Sequence, residues 1–194
     1  MSTDTLAHTG LAARAHGGHA RPRGAQASPR PVPTFIFADL VGYTALTEER
    51  GDRAALALAR SFHRLMHRLS RAHGAWQVKS MGDGVMIWAP EPERAVALAA
   101  ETVAKVAEHD ELPPVRVGVH TGQAVMSAGD WFGRAVNFAA RLARHARPGE
   151  ALVSAATQAA AGHELARRNA VPCEVRIPDH DGPVPAWRLR HHLI

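Results

Sequence analysis

The stretch Thr34-Phe-Ile-Phe-Ala-Asp-Leu-Val-Gly-Tyr-Thr44 predicts the first strand of the fold and the first candidate site residue. Its apolar run is typical of a buried strand, and the run ends at Asp39. Gly42 follows three residues later, and glycine permits a tight turn that would leave the Asp39 carboxylate beside exposed backbone N–H groups. This arrangement suits a nucleoside triphosphate with its metal ions.

A second aspartate stands in a similar setting. Asp83 lies in Lys79-Ser-Met-Gly-Asp-Gly-Val-Met-Ile-Trp88, where Gly-Asp-Gly separates two stretches of strand character. Carboxylates that hold Mg²⁺ usually come singly from separate elements, because the ion keeps several waters and binds substrate phosphate oxygens. Asp39 and Asp83 together therefore predict a two-metal site. The alternative for Asp83 is an ordinary hairpin turn.

A third segment, Asp130-Trp-Phe-Gly-Arg-Ala-Val-Asn-Phe-Ala-Ala-Arg141, carries an amide and a guanidinium at helical spacing. Asn137 and Arg141 are four residues apart, so a helix presents both on one face, where they can reach one ligand. The alternative is an Asn and an Arg on the surface of an amphipathic helix. Between the second and third segments lies Val117-Gly-Val-His-Thr-Gly-Gln123.

In this order and spacing the segments resemble the catalytic domain of class III adenylyl and guanylyl cyclases, over roughly Pro33 to Leu189. The resemblance implies the class III cyclase fold and an enzyme that makes a cyclic nucleotide and pyrophosphate. It also implies two divalent ions per site, Mg²⁺ or Mn²⁺.

Roles of single residues follow from the same resemblance. Asp39 and Asp83 would be the metal ligands, assisted by the carbonyl of Leu40. Asn137 and Arg141 would orient the ribose and stabilise charge on phosphorus in the transition state. The backbone of the turn that opens the next helix would hold the triphosphate, through Val41, Gly42, Tyr43 and Thr44.

The choice of base depends on hydrogen bonding. Adenine offers an acceptor at N1 and a donor at N6, whereas guanine offers a donor at N1 and an acceptor at O6, so a lysine with a carboxylate complements adenine. Lys79 and Asp130 stand at the two positions that the family uses for this selection. The predicted substrate is therefore ATP. The alternative is an exposed strand lysine and a turn aspartate.

The resemblance also implies an assembly. In the family the metal carboxylates and the base-selecting pair come from opposite subunits, and this chain carries both halves. A symmetric homodimer would therefore form two equivalent sites at its interface. Two other functions stay open: a catalytically silent nucleotide-binding regulatory module, and a guanylyl cyclase.

Composition predicts one domain after a tail. Residues 1–33 are rich in Ala, Gly, His, Pro and Arg, which predicts a flexible tail, and residues 34–194 would form the catalytic domain. The single cysteine excludes an internal disulfide, and no apolar run resembles a signal peptide or membrane span, so we expect a cytoplasmic protein. The net charge of +5 is scattered without a dense basic run, so neither nucleic acid nor membrane insertion is expected.

The chain pattern predicts an α+β fold with a ferredoxin-like βαββαβ core, an extra helix and C-terminal strands. The predicted strands are 34–39, 75–81, 85–89, 115–120, 123–127, 174–177 and 185–189, with 115–120 paired to 123–127. The predicted helices are a short one capped by Thr44, a longer one that ends near His73, and 92–108 and 133–145. Helices on one face would leave the other face of the sheet free.

The lysine that often contacts the triphosphate in this family is missing, and Arg176 is the candidate in its place.

Overall fold

The computed structural model of the protein describes residues 32–178 and 180–190, which form nine strands and five helices. The strands are β1 Thr34–Leu40, β2 Trp76–Met81, β3 Gly84–Ala89, β4 Val115–Thr121, β5 Val125–Ser127, β6 Asp130–Phe132, β7 Glu150–Ser154, β8 Val171–Arg176 and β9 Pro183–Arg190. The helices are α1 Tyr43–Arg50, α2 Asp52–Ala72, α3 Pro92–Ala107, α4 Arg134–His145 and α5 Ala155–Arg167.

Seven of the strands form one sheet in the order β2-β3-β1-β4-β7-β9-β8, and β5 pairs with β6 in a separate hairpin. The β4 and β7 strands run parallel, and all other neighbours in the sheet run antiparallel. The order β2-β3-β1-β4, with α2 and α3 as connections, is the predicted βαββαβ core. The α+β fold class is therefore confirmed.

The main core lies between the sheet and the helices α2, α3 and α5. Successive strand residues point to opposite faces, so alternate β1 residues, Ile36, Ala38 and Leu40, join this core. Phe62 of α2 is fully buried there, because the apolar positions of that long helix repeat with helical periodicity. The remaining β1 positions, among them Asp39, therefore face the other side of the sheet.

The expectation of a free second face is wrong, because α4 packs across it. Ala135, Val136 and Ala139 of α4 form a second core cluster with Phe35 of β1. The contact with β4 is close at Gly118, where a Cβ would lie 2.3 Å from both Ala139 O and Ala143 N. The backbone of α4 therefore rests directly on the sheet, which fixes the position of its functional side chains.

Two local predictions are also wrong. Val125–Ser127 pairs with Asp130–Phe132 and not with β4, so the strand before Asp130 belongs to a protruding hairpin. Gly42, in the left-handed conformation, occupies the N-cap of α1 in place of Thr44. The β7 strand and α5 were not predicted.

A buried ion pair joins β7 to β9. Glu150 is only 1% exposed, and its Oε2 accepts a hydrogen bond from Arg190 Nε at 3.1 Å. Arg188 Nε lies 2.8 Å from the same oxygen and contributes charge, although its N–H is not directed at the carboxylate. A buried carboxylate needs such compensation for its lost hydration.

The predicted tail lies almost entirely outside the described residues. Pro33, which we assigned to it, is buried, and its carbonyl accepts a hydrogen bond from Gly122 N–H at 3.1 Å. Across residues 32–178 and 180–190, each helix is too short or too polar to cross a bilayer.

Candidate active site

Asp39 and Asp83 lie side by side at one end of the sheet. Asp39 pairs in register with Gly84, the residue that follows Asp83 in the β2–β3 turn. Burial raises the pKa of Asp83, and the charge of Asp39, which also hydrogen bonds to it, raises that pKa further. The structure therefore brings the two predicted metal ligands together.

Gly84 is required by the Asp39 carboxylate. A Cβ at position 84 would lie 3.0 Å from Asp39 Oδ1 and 3.4 Å from the carbonyl oxygen of Ala38. The glycine thus leaves room for the carboxylate at the strand end. The sequence Gly-Asp-Gly is consequently more than a turn signal, since its second glycine shapes the site.

Arg116 is a site neighbour that the sequence reasoning missed. It stands opposite Asp39 on β4, with its Nη2 at 3.4 Å from Asp39 Oδ2. Its charge works against the rise in the pKa of Asp83. Its Nε is buried without a hydrogen-bond partner among the described residues. The sequence shows an arginine near the start of the predicted strand 115–120, but its position beside Asp39 depends on the pairing of β1 with β4.

The donor chemistry of this pair fits a divalent cation. The two carboxylates come from separate elements, and the Asp39 side chain is 41% exposed. A cation bound by one oxygen from each would keep coordination positions for water and phosphate oxygens. A cation between the carboxylates would offset the repulsion that raises the pKa of Asp83. The end of β1 also brings the backbone of Leu40 to this edge.

The predicted phosphate turn follows β1, and only part of it is available to a ligand. Val41 N–H donates to the carbonyl oxygen of Pro114 at 2.8 Å, so this group is already used. Gly42 has φ +76°, and no side chain caps the N-terminus of α1 behind it. The N-terminal backbone groups of Tyr43 and Thr44 therefore lie at a helix start, which favours an anion.

The two predicted base-selecting residues are in direct contact. Lys79 Nζ donates to Asp130 Oδ2 at 2.5 Å, which links β2 to the β5–β6 hairpin. Asp130 Oδ1 accepts from Trp131 N–H at 2.8 Å. The hydrogen bond from Lys79 makes the largest contribution to lowering the pKa of the Asp130 carboxyl, and the hydrogen bond from Trp131 N–H lowers it further.

Asn137 lies between two cavities. The first, of about 500 Å³, is lined by Asp39, Lys79 and Asn137 among others. The second, of about 590 Å³, is lined by Asn137 and Arg141. Arg141 therefore lines the second of these two cavities and not the first, which Asp39 and Lys79 line.

His120 lies in the wall of the second cavity, and the sequence reasoning quoted it without assigning a role. Its Nδ1 is 2.8 Å from Ser154 Oγ, and its ring centroid is 4.6 Å from that of Phe138. Burial lowers the pKa of His120 to about 4. The ring is therefore neutral at physiological pH, fixed beside the helix turn that carries Asn137.

The same cavity shows which C-terminal residue reaches the Asn137 and Arg141 helix. His180 lines it, with its ring centroid 5.2 Å from that of Phe138. Arg176, the candidate from the sequence, is exposed at the end of β8 and does not line this cavity. The loop after β8 thus presents the His180 imidazole to this cavity, whereas the predicted Arg176 does not line it.

The fold is similar to the folds of solved nucleotide cyclase domains. An adenylate cyclase structure from Trypanosoma brucei, in its monomeric state, superposes with a TM-score of 0.74 at 24% identity, covering 85% of this chain and 90% of the other. The adenylyl cyclase CyaB from P. aeruginosa superposes with a TM-score of 0.67 at 21% identity, covering 82% and 94%. At these identities the likeness concerns the fold.

The sequence defines the family. The profile of the adenylate and guanylate cyclase catalytic domain matches residues 26–183, and the chain belongs to that family. It is 38% identical over 144 residues to a pH-sensitive adenylate cyclase of Mycobacterium tuberculosis, covering 72% of this chain and 36% of that protein. It is 30% identical over 178 residues to an adenylate cyclase of Streptomyces griseus, covering 81% and 44%. The chain thus spans less than half the length of these relatives.

Proposed function

We propose that this chain converts ATP to 3′,5′-cyclic AMP and pyrophosphate at composite sites of a homodimer. The observation that carries the proposal is the adjacency of Asp39 and Asp83, where the charge of one raises the pKa of the other. In a member of the cyclase family, such a pair at the end of a strand fits a metal site, because two carboxylates from separate elements can hold divalent ions beside substrate phosphates. The relatives named adenylate cyclase support the same activity.

The reaction forms a bond between the ribose O3′ and the α-phosphorus and breaks the bond from that phosphorus to pyrophosphate. The hydroxyl proton leaves to solvent. Two divalent ions, Mg²⁺ or Mn²⁺, would lower the pKa of the hydroxyl and neutralise the phosphate oxygens when bound. Asp39, Asp83 and the carbonyl of Leu40 would hold them. The backbone of Gly42, Tyr43 and Thr44 would bind the β- and γ-phosphates at the start of α1.

The α4 side chains would supply the remaining contacts to the substrate. Arg141 would stabilise the charge that develops there, because its planar guanidinium stays ionised and can contact two oxygens. Asn137 would orient the ribose through its amide. The close packing of α4 on Gly118 supports these roles, since it holds the helix rigidly.

The Lys79–Asp130 pair supports ATP as the substrate. Lys79 can donate to the adenine N1, and the Asp130 carboxylate can accept from N6. Guanine would oppose a donor to the lysine and an acceptor to the carboxylate. The 2.5 Å hydrogen bond between Lys79 and Asp130 holds the two groups together before a base binds. Each contact with the base would compete with this hydrogen bond.

A homodimer explains why one chain divides the site. Asp39 lines the first cavity and Arg141 the second, which supports a second copy as the source of the arginine for the phosphate that the first copy's metals would hold. The β5–β6 hairpin supports such an interface, because Val125, Met126 and Phe132 are 67%, 60% and 54% exposed there. A two-fold axis would create two equivalent sites.

Mixing inactive chains tests this proposal. Asp83→Ala removes a metal ligand and Asn137→Ala removes a ribose contact, so each homodimer should be nearly inactive with ATP. A mixed dimer retains one intact site, so the mixture should recover about a quarter of wild-type cyclic AMP formation if chains exchange freely. Folded, dimeric variants that fail to recover activity on mixing would contradict shared sites.

A further inference from the structure

A basic groove lies between α2 and the edge strand β2, on the face of the sheet that α2, α3 and α5 cover. It has a volume of about 650 Å³. We call it the α2–β2 groove, and it is lined by His63, Arg64, His67, Arg68, Gln77, Val78, Lys79 and Ser80. None of these residues is acidic, so the groove has a positive potential.

The charges of the groove repeat on successive turns of α2. Arg64 and Arg68 are exposed and four residues apart, so they lie one turn apart on the same face of α2. His63 and His67 repeat in the same way beside them. Within the described part of the chain, neither arginine forms a salt bridge or a hydrogen bond. The two arginines therefore lie on the same helix face without a carboxylate of the described residues that pairs with either of them.

Two buried polar atoms in the groove have no hydrogen-bond partner among the described residues. They are His63 Nε2 and Gln77 Oε1. Leaving such an atom unsatisfied costs about 1–3 kcal/mol, and a bound water or ion is one of the ways in which a native structure satisfies it. Gln77 Nε2 lies 2.9 Å from Ser80 Oγ. If the amide turns by 180°, the serine hydroxyl donates to Oε1, and the amide NH₂ faces the groove as a donor.

An irregularity in β2 produces this arrangement. The register with β3 shifts between Gln77 and Lys79, so Gln77 and Ser80 both face α2. Lys79 stands at the rim, where Asp130 pairs with its charge. The groove therefore offers the two arginines and His63 as its charge and hydrogen-bond donors, with Gln77 at its floor.

We propose that the α2–β2 groove binds an oxyanion of the phosphate class, either free phosphate or a phosphate monoester. A tetrahedral oxyanion has enough acceptor oxygens to meet two guanidinium groups, the His63 ring and the Gln77 amide together. A metal ion is disfavoured by the arginines. The size of the groove leaves room for the organic group of a monoester.

This inference is independent of the proposed reaction, because the groove lies on the opposite face of the sheet from Asp39. Binding can be measured without nucleotide or metal. Of the side chains that the structure describes, the α2–β2 groove and the first cavity share only Lys79 in their linings.

Calorimetric titration with inorganic phosphate and, separately, with glycerol 3-phosphate tests the groove. The purified full chain should bind at least one of them saturably, and which one binds identifies the source of the phosphate group. The double variant Arg64→Gln, Arg68→Gln should weaken binding by about tenfold or more. Its matched control, Arg53→Gln, Arg60→Gln, changes two exposed arginines of α2 outside the groove and should leave the affinity unchanged.

A further control separates the groove from the proposed active site. Arg141→Gln should retain phosphate binding, and NMR signals of the His63 ring should shift on titration in that variant. Loss of binding in Arg141→Gln with retention in the groove variant would overturn the inference. So would the absence of saturable binding, or binding of a polyglutamate peptide without binding of either phosphate compound.

Discussion

Lys79 Nζ and Asp130 Oδ2 are 2.5 Å apart, and this contact ties the edge strand β2 to the β5–β6 hairpin. The residues are separated by 51 positions in the chain. Their side chains are 40% and 27% exposed, so a base can reach them without unfolding either element. The pair is therefore a tertiary contact that a ligand can still reach.

Replacing this pair should change the choice of nucleotide. The double variant Lys79→Glu, Asp130→Gly removes the donor and acceptor that match adenine, so the ratio of ATP to GTP activity should fall by at least about tenfold. The ratio is obtained from the initial rates of cyclic AMP formation from ATP and cyclic GMP formation from GTP, measured under identical metal conditions. Lys105→Ala with Glu108→Ala removes an exposed ion pair of α3 and serves as control. An unchanged ratio in the first variant would contradict the assignment.

His180 should contribute to nucleotide binding. It lines the cavity of Asn137 and Arg141, so His180→Ala should raise KM for ATP by about three- to tenfold with a smaller effect on kcat. Arg176→Ala is the matched comparison, because Arg176 lies outside that cavity, and its KM should stay near the wild-type value. A larger effect from Arg176 would restore the candidate that the sequence suggested.

Gly118 should be indispensable for the position of α4. In Gly118→Ala the new methyl group would meet helix backbone at 2.3 Å, so the helix must move or the chain must unfold. We expect a loss of several kcal/mol in the free energy of unfolding, measured by urea titration. Gly162→Ala is the control, since its Cβ would meet only a side-chain atom at 3.6 Å. Equal stability of the two variants would show that α4 does not need the close approach.

Much of the architecture could be predicted because strands and helices of the core repeat their apolar residues regularly. Ile36, Ala38 and Leu40 fall on one face of β1, and Phe62 falls on the buried face of α2. The aspartate at the end of β1 then predicts one half of the metal site. The adjacency of Asp39 and Asp83 follows from the same pattern once β1 and β3 are paired.

The missed elements have weaker local signals. The β5–β6 turn uses Ala128 and Gly129, both with positive φ, and alanine is unusual in that conformation. The β7 strand begins with Glu150, whose burial depends on arginines of β9 that are distant in sequence. Alanines and Gly162 dominate α5, so its apolar face is hard to recognise. Arg116 was missed for a similar reason, because only strand pairing places it beside Asp39.

Acid should destabilise the fold through His120. Its pKa is about 4 in the folded chain and about 6.5 in the unfolded chain, so the unfolded state binds more protons between these values. The stability present above pH 6.5 is therefore lost as the pH falls toward 4. Between pH 7 and pH 5 this amounts to about 1 kcal/mol, after a discount for the partly exposed ring.

Urea titrations at pH 7 and pH 5 measure this contribution by difference. His120→Gln cannot titrate, so its free energy of unfolding should fall by about 1 kcal/mol less than that of the wild type. His163→Gln, at an exposed position on α5, should behave like the wild type. An identical pH dependence for wild type and His120→Gln would contradict the buried, neutral ring.

The most direct test of the proposed function is product formation by the purified chain with ATP or GTP and with Mg²⁺ or Mn²⁺. We predict cyclic AMP from ATP, a strict requirement for the metal, and loss of at least about a hundredfold in rate in Asp83→Ala. A folded, dimeric chain that forms no cyclic nucleotide from either substrate would contradict the account, as would activity that survives the removal of Asp83.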